Sequence, residues 1–262
     1  MEMVGLYLAL GALAGLLAGL LGVGGGIVMV PALVFALEYQ GVAPGLVMHM
    51  ALGTSLGIIV LTSISSVRAH HRRGGVLWKT VFGITPGILL GSFLGAAVAS
   101  LLSGPLLKQA FGVFALGLAV YLGLDVTPRP GRTLPGAGGL SAVGAGVGVV
   151  SALMGIGGGS LTVPFMVWCG VAMRQAVATA AAIGLPIALA GAGGFVVNGW
   201  HQALLPPWSL GYLHGPAVLG VGLASVLAAP QGARLAHTLA PRLLRRLFAL
   251  LLLVLGARML LS

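Results

Sequence analysis

Water cannot be the main solvent of this chain, because stretches without a charge, far longer than a soluble helix, recur from end to end. No Asp, Glu, Lys or Arg occurs in Met3 to Leu37, Thr80 to Leu107, Thr133 to Met173 or Gln175 to Ala233. One crossing of a bilayer takes roughly 20 residues, so the longer stretches must turn back inside it. Only 6% of the 262 residues are charged and 58% are hydrophobic, against about 25% charged in an ordinary soluble domain. So few charges cannot build a soluble surface, and the lipid bilayer is the expected surrounding.

Met3 to Leu21 is apolar like a signal peptide, yet it has Glu2 in place of a basic start and runs into glycines with no Ala-x-Ala site. It is expected to remain in the folded protein. The net charge of +10 does not point to nucleic acid, since Arg68, Arg72, Arg73 and Lys79, and again Arg234, Arg242, Arg245 and Arg246, fall between apolar segments. Cytoplasmic loops carry this excess. A single cysteine, Cys169, excludes an internal disulfide and a Cys-rich metal site.

The strongest internal feature is a repeat. Gly22 to Pro31 reads GVGGGIVMVP and Gly155 to Pro164 reads GIGGGSLTVP, with four glycines and a proline at the same spacing. ALGTS from Ala51 to Ser55 then answers to AVATA from Ala176 to Ala180, and PLLKQAFGVF from Pro105 to PRLLRRLFAL from Pro241. The chain reads as a tandem duplication in one membrane domain: a first repeat over 1–124, a cytoplasmic linker over 125–135 and a second repeat over 136–262.

Apolar segments run Met3–Leu21, Ile27–Leu37, Val47–Val67, Thr80–Leu102 and Leu106–Leu124 in the first half. In the second they run Gly136–Met154, Ser160–Val171, Gln175–Val197, Leu204–Ala228 and Leu247–Leu261. Arg68 to Lys79 is basic while its counterpart, Asn198 to Trp208, has no Lys or Arg; Ser103 to Lys108 is nearly neutral while Pro230 to Arg246 is basic. A bias that swaps between corresponding loops predicts two inverted repeats. Inversion needs an odd number of crossings per half. The expected fold is therefore all-α and polytopic, each repeat holding a glycine-broken or re-entrant helix pair plus three spanning helices.

Gly24, Gly25 and Gly26, and Gly157, Gly158 and Gly159, lack the Lys-Ser/Thr of a phosphate loop and the strand and acid of a dinucleotide fold. Three contiguous glycines inside a membrane instead break a helix, and exposed backbone is tolerated there only in protein or along a wet cavity. The helix that resumes after them presents N–H groups and a positive dipole end. That makes a site for an anion without a charged side chain. Glycines that only let helices pack lie about four apart on one face, not side by side.

Ser160, Thr54, Ser55 and Thr179 are the hydroxyls placed to complete the site, and His49 lies where it could line a path. No His has metal-ligand spacing with another His, Cys or carboxylate, so neither metal nor cofactor is expected. Glu2, Glu38 and Asp125 are the only carboxylates and lie at segment ends. Cation carriers commonly rely on acids inside the membrane, so the substrate expected is anionic.

The paired GxGGGxxxxP motifs, Gly53-Thr54-Ser55 and the basic loop ending Gly74-Gly75-Val76-Leu77-Trp78-Lys79 resemble the sulfite exporter TauE/SafE family of membrane permeases over nearly the whole chain. The resemblance implies a secondary transporter in a bacterial cytoplasmic (inner) membrane, moving a sulfur-containing or organic anion such as sulfite or an organosulfonate, with export the favoured direction. Ala178, Thr179 and Ala180 depart from a second Gly-Thr-Ser. The other readings are a membrane enzyme, for which no catalytic set is apparent, and a non-transport assembly or structural protein, which would not need helix breaks in both halves. The partners expected are a small anionic substrate and lipid, with a homodimer as the assembly to look for and no nucleic acid.

Overall fold

In the computed structural model, residues 2–21, 26–124, 131–236 and 241–261 are described. Ten helices follow in order: α1 (Glu2–Leu21), α2 (Gly26–Tyr39), α3 (Pro44–Arg72), α4 (Trp78–Leu101), α5 (Gly104–Gly123), α6 (Ala137–Leu153), α7 (Gly159–Trp168), α8 (Met173–Gly199), α9 (Gly215–Ala236) and α10 (Pro241–Leu261). Among the described residues, α3, α4, α5, α8 and α9 are long and apolar enough to cross a membrane. Their outer faces are apolar, with Phe82 69% and Leu227 73% exposed, which a bilayer accommodates and water would not. The four tryptophans, Trp78, Trp168, Trp200 and Trp208, are exposed at helix ends or in a loop, where amphipathic rings sit at a membrane interface.

Helices α3 and α8 form the central pair and run antiparallel. Gly184 of α8 faces Ser63 of α3, Gly191 faces Leu56, and Gly53 faces Phe195. Helices α5 and α10 are antiparallel too, since Gly112 meets Leu260 and Gly256 whereas Gly123 meets Ala249. Two further pairs join the halves in parallel: α4 packs along α6 and α9 along α1. Gly83, Gly87, Gly91 and Gly95 put one bare stripe on α4, and on α6 Leu140, Ser141, Ala145 and Val149 lie against it. Gly11 and Gly15 of α1 meet Val221 and Ser225 of α9 in the same way. At four-residue spacing glycine lets backbones approach, and close packing holds helices together where lipid removes the hydrophobic drive.

Each half opens with a helical hairpin. Helix α2 leads back to the start of α1, where the Gln40 amide hydrogen-bonds the Tyr7 hydroxyl. Helix α7 leads back toward the chain before α6, where Gly131 N–H donates to Trp168 O at 3.1 Å and the Arg132 guanidinium stacks 5.0 Å from the Trp168 ring. Both returning helices close alike, with Val42 N–H on Leu37 O and Val171 N–H on Met166 O. At 14 and 10 residues they rise only about 21 and 15 Å, short of a membrane core.

One expected boundary moves. The apolar stretch Leu204–Ala228 is helical only from Gly215, because Pro206, Pro207 and Gly211, at φ +54°, divert the chain first. Ser209–Leu210 and Leu213–His214 pair there as a two-stranded antiparallel ribbon.

Candidate functional site

Arg73, Arg174 and Arg132 gather at the end of the molecule where α3 finishes and α8 begins. At the opposite end lie the start of α3, the end of α4 and the ribbon. Between these ends the start of α2 meets the glycine turn of the second half. Gly26, the first residue of α2, packs so closely on the α6–α7 turn that a Cβ there would lie 2.9 Å from Ile156 Cα and 3.0 Å from Gly155 O. Ser55 Oγ, on α3, donates to the same Gly155 carbonyl at 2.7 Å and is fully buried. The start of α2 and the α6–α7 turn are thus pinned to each other and to the central pair. Gly24 and Gly25 lie outside the described residues.

The α6–α7 turn follows from its sequence. Ile156 N–H reaches back to Ser151 O and Gly155 N–H to Ala152 O, closing α6 with Gly155 at φ +61°, a left-handed conformation that glycine adopts at no steric cost. Helix α7 then starts, with Thr162 N–H and Leu161 N–H both on Gly158 O. Among the described residues, the N–H groups of Gly157, Gly158, Gly159 and Ser160 find no backbone acceptor. Gly157 and Gly158 are buried, Gly159 and Ser160 half-buried. Buried donors call for acceptors, and at a helix N-terminus the dipole favours a negative one. Pro31 and Pro164, each the sixth residue of its helix, lack the N–H that would bond the carbonyls of Ile27 and Ser160. Ile59, Ile183 and Ile187 wall the turn with aliphatic side chains, so little else competes for those donors.

Not every glycine is needed for its backbone angles. Gly158 sits at φ −64°, open to any residue, and a Cβ there would meet side chains alone: the flexible end of Ile187, 2.6 Å away, and the branch methyls of Ile183 and Thr162. Gly155 carries the left-handed turn of the cluster.

The remaining hydroxyls and the histidine do other work. Thr54 Oγ1 accepts the N–H of His214, just before α9, at 3.0 Å, while Thr179 Oγ1 accepts the N–H of Leu77, just before α4, at 3.0 Å. Each central helix thereby caps a helix start in the opposite half. Matching Gly184 to Ser63 and Gly53 to Phe195 puts the two threonines roughly 20 Å apart along the helix axes, one on either side of the glycine turns. His49 is buried at the end of α4, its Nε2 3.1 Å from both Ala99 O and Leu102 O and its Nδ1 3.1 Å from Gly45 O. Its ring stacks on Tyr212 at 5.1 Å. The structure adds Thr162, whose hydroxyl donates to Gly158 O at 2.6 Å, and Tyr212 of the ribbon. Thr162 could have been found from its place seven residues after Gly155; Tyr212 carries no such signal.

Among the described residues no three His, Cys, Asp or Glu side chains converge as metal ligands. The single ion pair described, Lys108 with Glu38 at 3.2 Å, is remote from the turns.

A family profile described as sulfite exporter TauE/SafE matches residues 7–259. A probable membrane transporter protein of Haemophilus influenzae is 37% identical over 98% of both chains. A probable membrane transporter protein of Methanocaldococcus jannaschii is 28% identical over 98% of this chain and 95% of its own. One of Xylella fastidiosa is 29% identical over 92% and 88%. No solved structure gives a significant match.

Proposed function

The chain belongs to the sulfite exporter TauE/SafE family, and on that premise we propose that it exports a small sulfur-containing or organic anion, such as sulfite or an organosulfonate, bound between its two glycine turns. Membership makes it a multi-pass membrane transporter, not an enzyme, and bacterial relatives accord with the cytoplasmic (inner) membrane. The observation that carries the reading is the contact of Gly26 with Gly155 and Ile156 beside four N–H groups on the α7 start that have no acceptor among the described residues. Backbone donors in an apolar wall bind an anion without a fixed positive charge, so an empty carrier is not left with a buried cation.

The architecture we propose is two inverted repeats, 1–124 and 136–262. Corresponding helices, α3 with α8 and α5 with α10, run antiparallel, which supports a two-fold axis in the membrane plane. Basic residues concentrated where α3 ends and α8 begins would then mark the cytoplasm. Moving an anion out of a negative interior is favoured by about 2.3 kcal/mol per charge for each 100 mV, so export needs no coupling ion.

Proteoliposomes loaded with radiolabelled sulfite, thiosulfate or a C2 sulfonate provide the test. Efflux of at least one should quicken when the lumen is made negative. Efflux unaffected by potential for all of them, or accumulation against the potential, would overturn the reading.

A further inference from the structure

Beside the described turns, a cavity of about 450 Å³ opens where α3 ends and α8 begins, lined by His70, Arg73, Gly75, Met173, Arg174, Val177 and Ala178. Nothing in the site above uses it. Two guanidinium groups and an imidazole lie on its wall, and the ion pair described among the carboxylates, Glu38 with Lys108, is elsewhere. Helix α8 starts at this cavity without a side-chain cap. Its first intrahelical donor is Ala176 N–H, on Ala172 O, so the preceding N–H groups add the positive end of a 27-residue helix.

The floor of the cavity leads toward the glycine turn. Val177 and Ala178 line it, Thr179 caps the α4 start, and Ile183, one and a half turns on, touches Gly158. Six residues of helix separate Val177 from Ile183, roughly 9 Å. At the opposite end the related space is filled. Tyr212 packs on His49 and Phe195, and a Cβ on Gly199 would lie 2.8 Å from its ring.

We infer that this cavity is a second anion site, a loading vestibule in which Arg73 and Arg174 hold a small oxyanion before it passes along α8 to the glycine turn. The inference rests on the transport reading for its destination, but not for its electrostatics. A cleft lined by one sign of charge with low-dielectric walls concentrates counter-ions tenfold or more.

Its test uses the purified full-length protein in neutral detergent, with Val177→Cys introduced in a Cys169→Ala background. Thiol reagents bearing a sulfonate should modify that cysteine roughly tenfold faster than reagents bearing a trimethylammonium group. The preference should vanish with Arg73→Gln and Arg174→Gln. Ethanesulfonate should slow labelling well beyond sodium chloride at equal ionic strength. Equal rates for the two reagents, or no protection by ethanesulfonate, would overturn the inference. So would labelling blocked by added phosphatidylglycerol but not by ethanesulfonate, which would make the occupant a lipid headgroup. The two readings fail separately. Protection retained while Gly26→Ala transports normally would sink the glycine site alone, and protection absent while wild-type protein transports would sink the vestibule alone.

Discussion

At the scale of single residues, two glycines from the paired motifs differ in what they tolerate. A methyl group on Gly26 would meet backbone, Ile156 Cα at 2.9 Å and Gly155 O at 3.0 Å, and backbone cannot step aside. A methyl on Gly158 would meet only side chains, Ile187 Cδ1 at 2.6 Å, Ile183 Cγ2 at 3.3 Å and Thr162 Cγ2 at 3.6 Å. Gly26→Ala should therefore part the hairpin tips and weaken binding by at least tenfold, about 1.4 kcal/mol, while Gly158→Ala should cost less. Gly117 faces open space on α5, and Gly117→Ala should leave affinity unchanged and not lower the melting temperature, since Ala favours a helix interior over Gly. Titration of the three folded variants with the transported anion decides the order. A larger loss in Gly158→Ala than in Gly26→Ala would reverse the assignment of the contact.

Elements were legible in unequal measure. Ten apolar segments could be read in order because every charge but Lys108 and Arg258 falls between them, and nine match helices to within six residues at either end. The tenth, Leu204–Ala228, failed because its apolar side chains continue through Pro206 and Pro207, where the backbone cannot remain helical. Whether the short pairs span or return was left open by parity alone. The contacts of Gln40 with Tyr7 and Arg132 with Trp168 show that each pair folds back as a hairpin, and no local pattern encodes contacts across 33 or more residues. The roles of Thr54, Thr179 and His49 were equally hidden. Spacing tells which face of a helix a hydroxyl occupies, but not that its partner is a backbone N–H or C=O of a distant element. Thr54→Val and Thr179→Val each remove the acceptor of an N–H and should cost about 1–3 kcal/mol apiece, read as lowered melting temperatures in detergent. Sites this far apart add; a double variant markedly less destabilised than the sum would mean that the two caps are not independent.

For the whole molecule, the opposed orientation proposed for the halves makes a labelling prediction. Arg72 closes α3 and Arg246 is exposed near the start of α10. Cysteines placed there in a Cys169→Ala background should both be reached only by reagents that enter the cytoplasm. Reaction of one from outside intact cells would make the repeats parallel. If two opposed halves were alike in sequence, the states open to either side would be mirror exchanges of one another, with equal free energy. The ribbon Ser209–His214 breaks that degeneracy, since the chain from Trp200 to His214 in one half answers to the much shorter run from Arg73 to Leu77 in the other. On that proposal Tyr212 would have to leave His49, Phe195 and Gly199 for the ribbon end to open, whereas among the described residues no Phe, Tyr or Trp ring lines the cavity of Arg73 and Arg174. The ribbon would then bias the resting equilibrium between the two states, and shortening it would change how long the carrier waits on each side without touching a single group proposed to hold the anion.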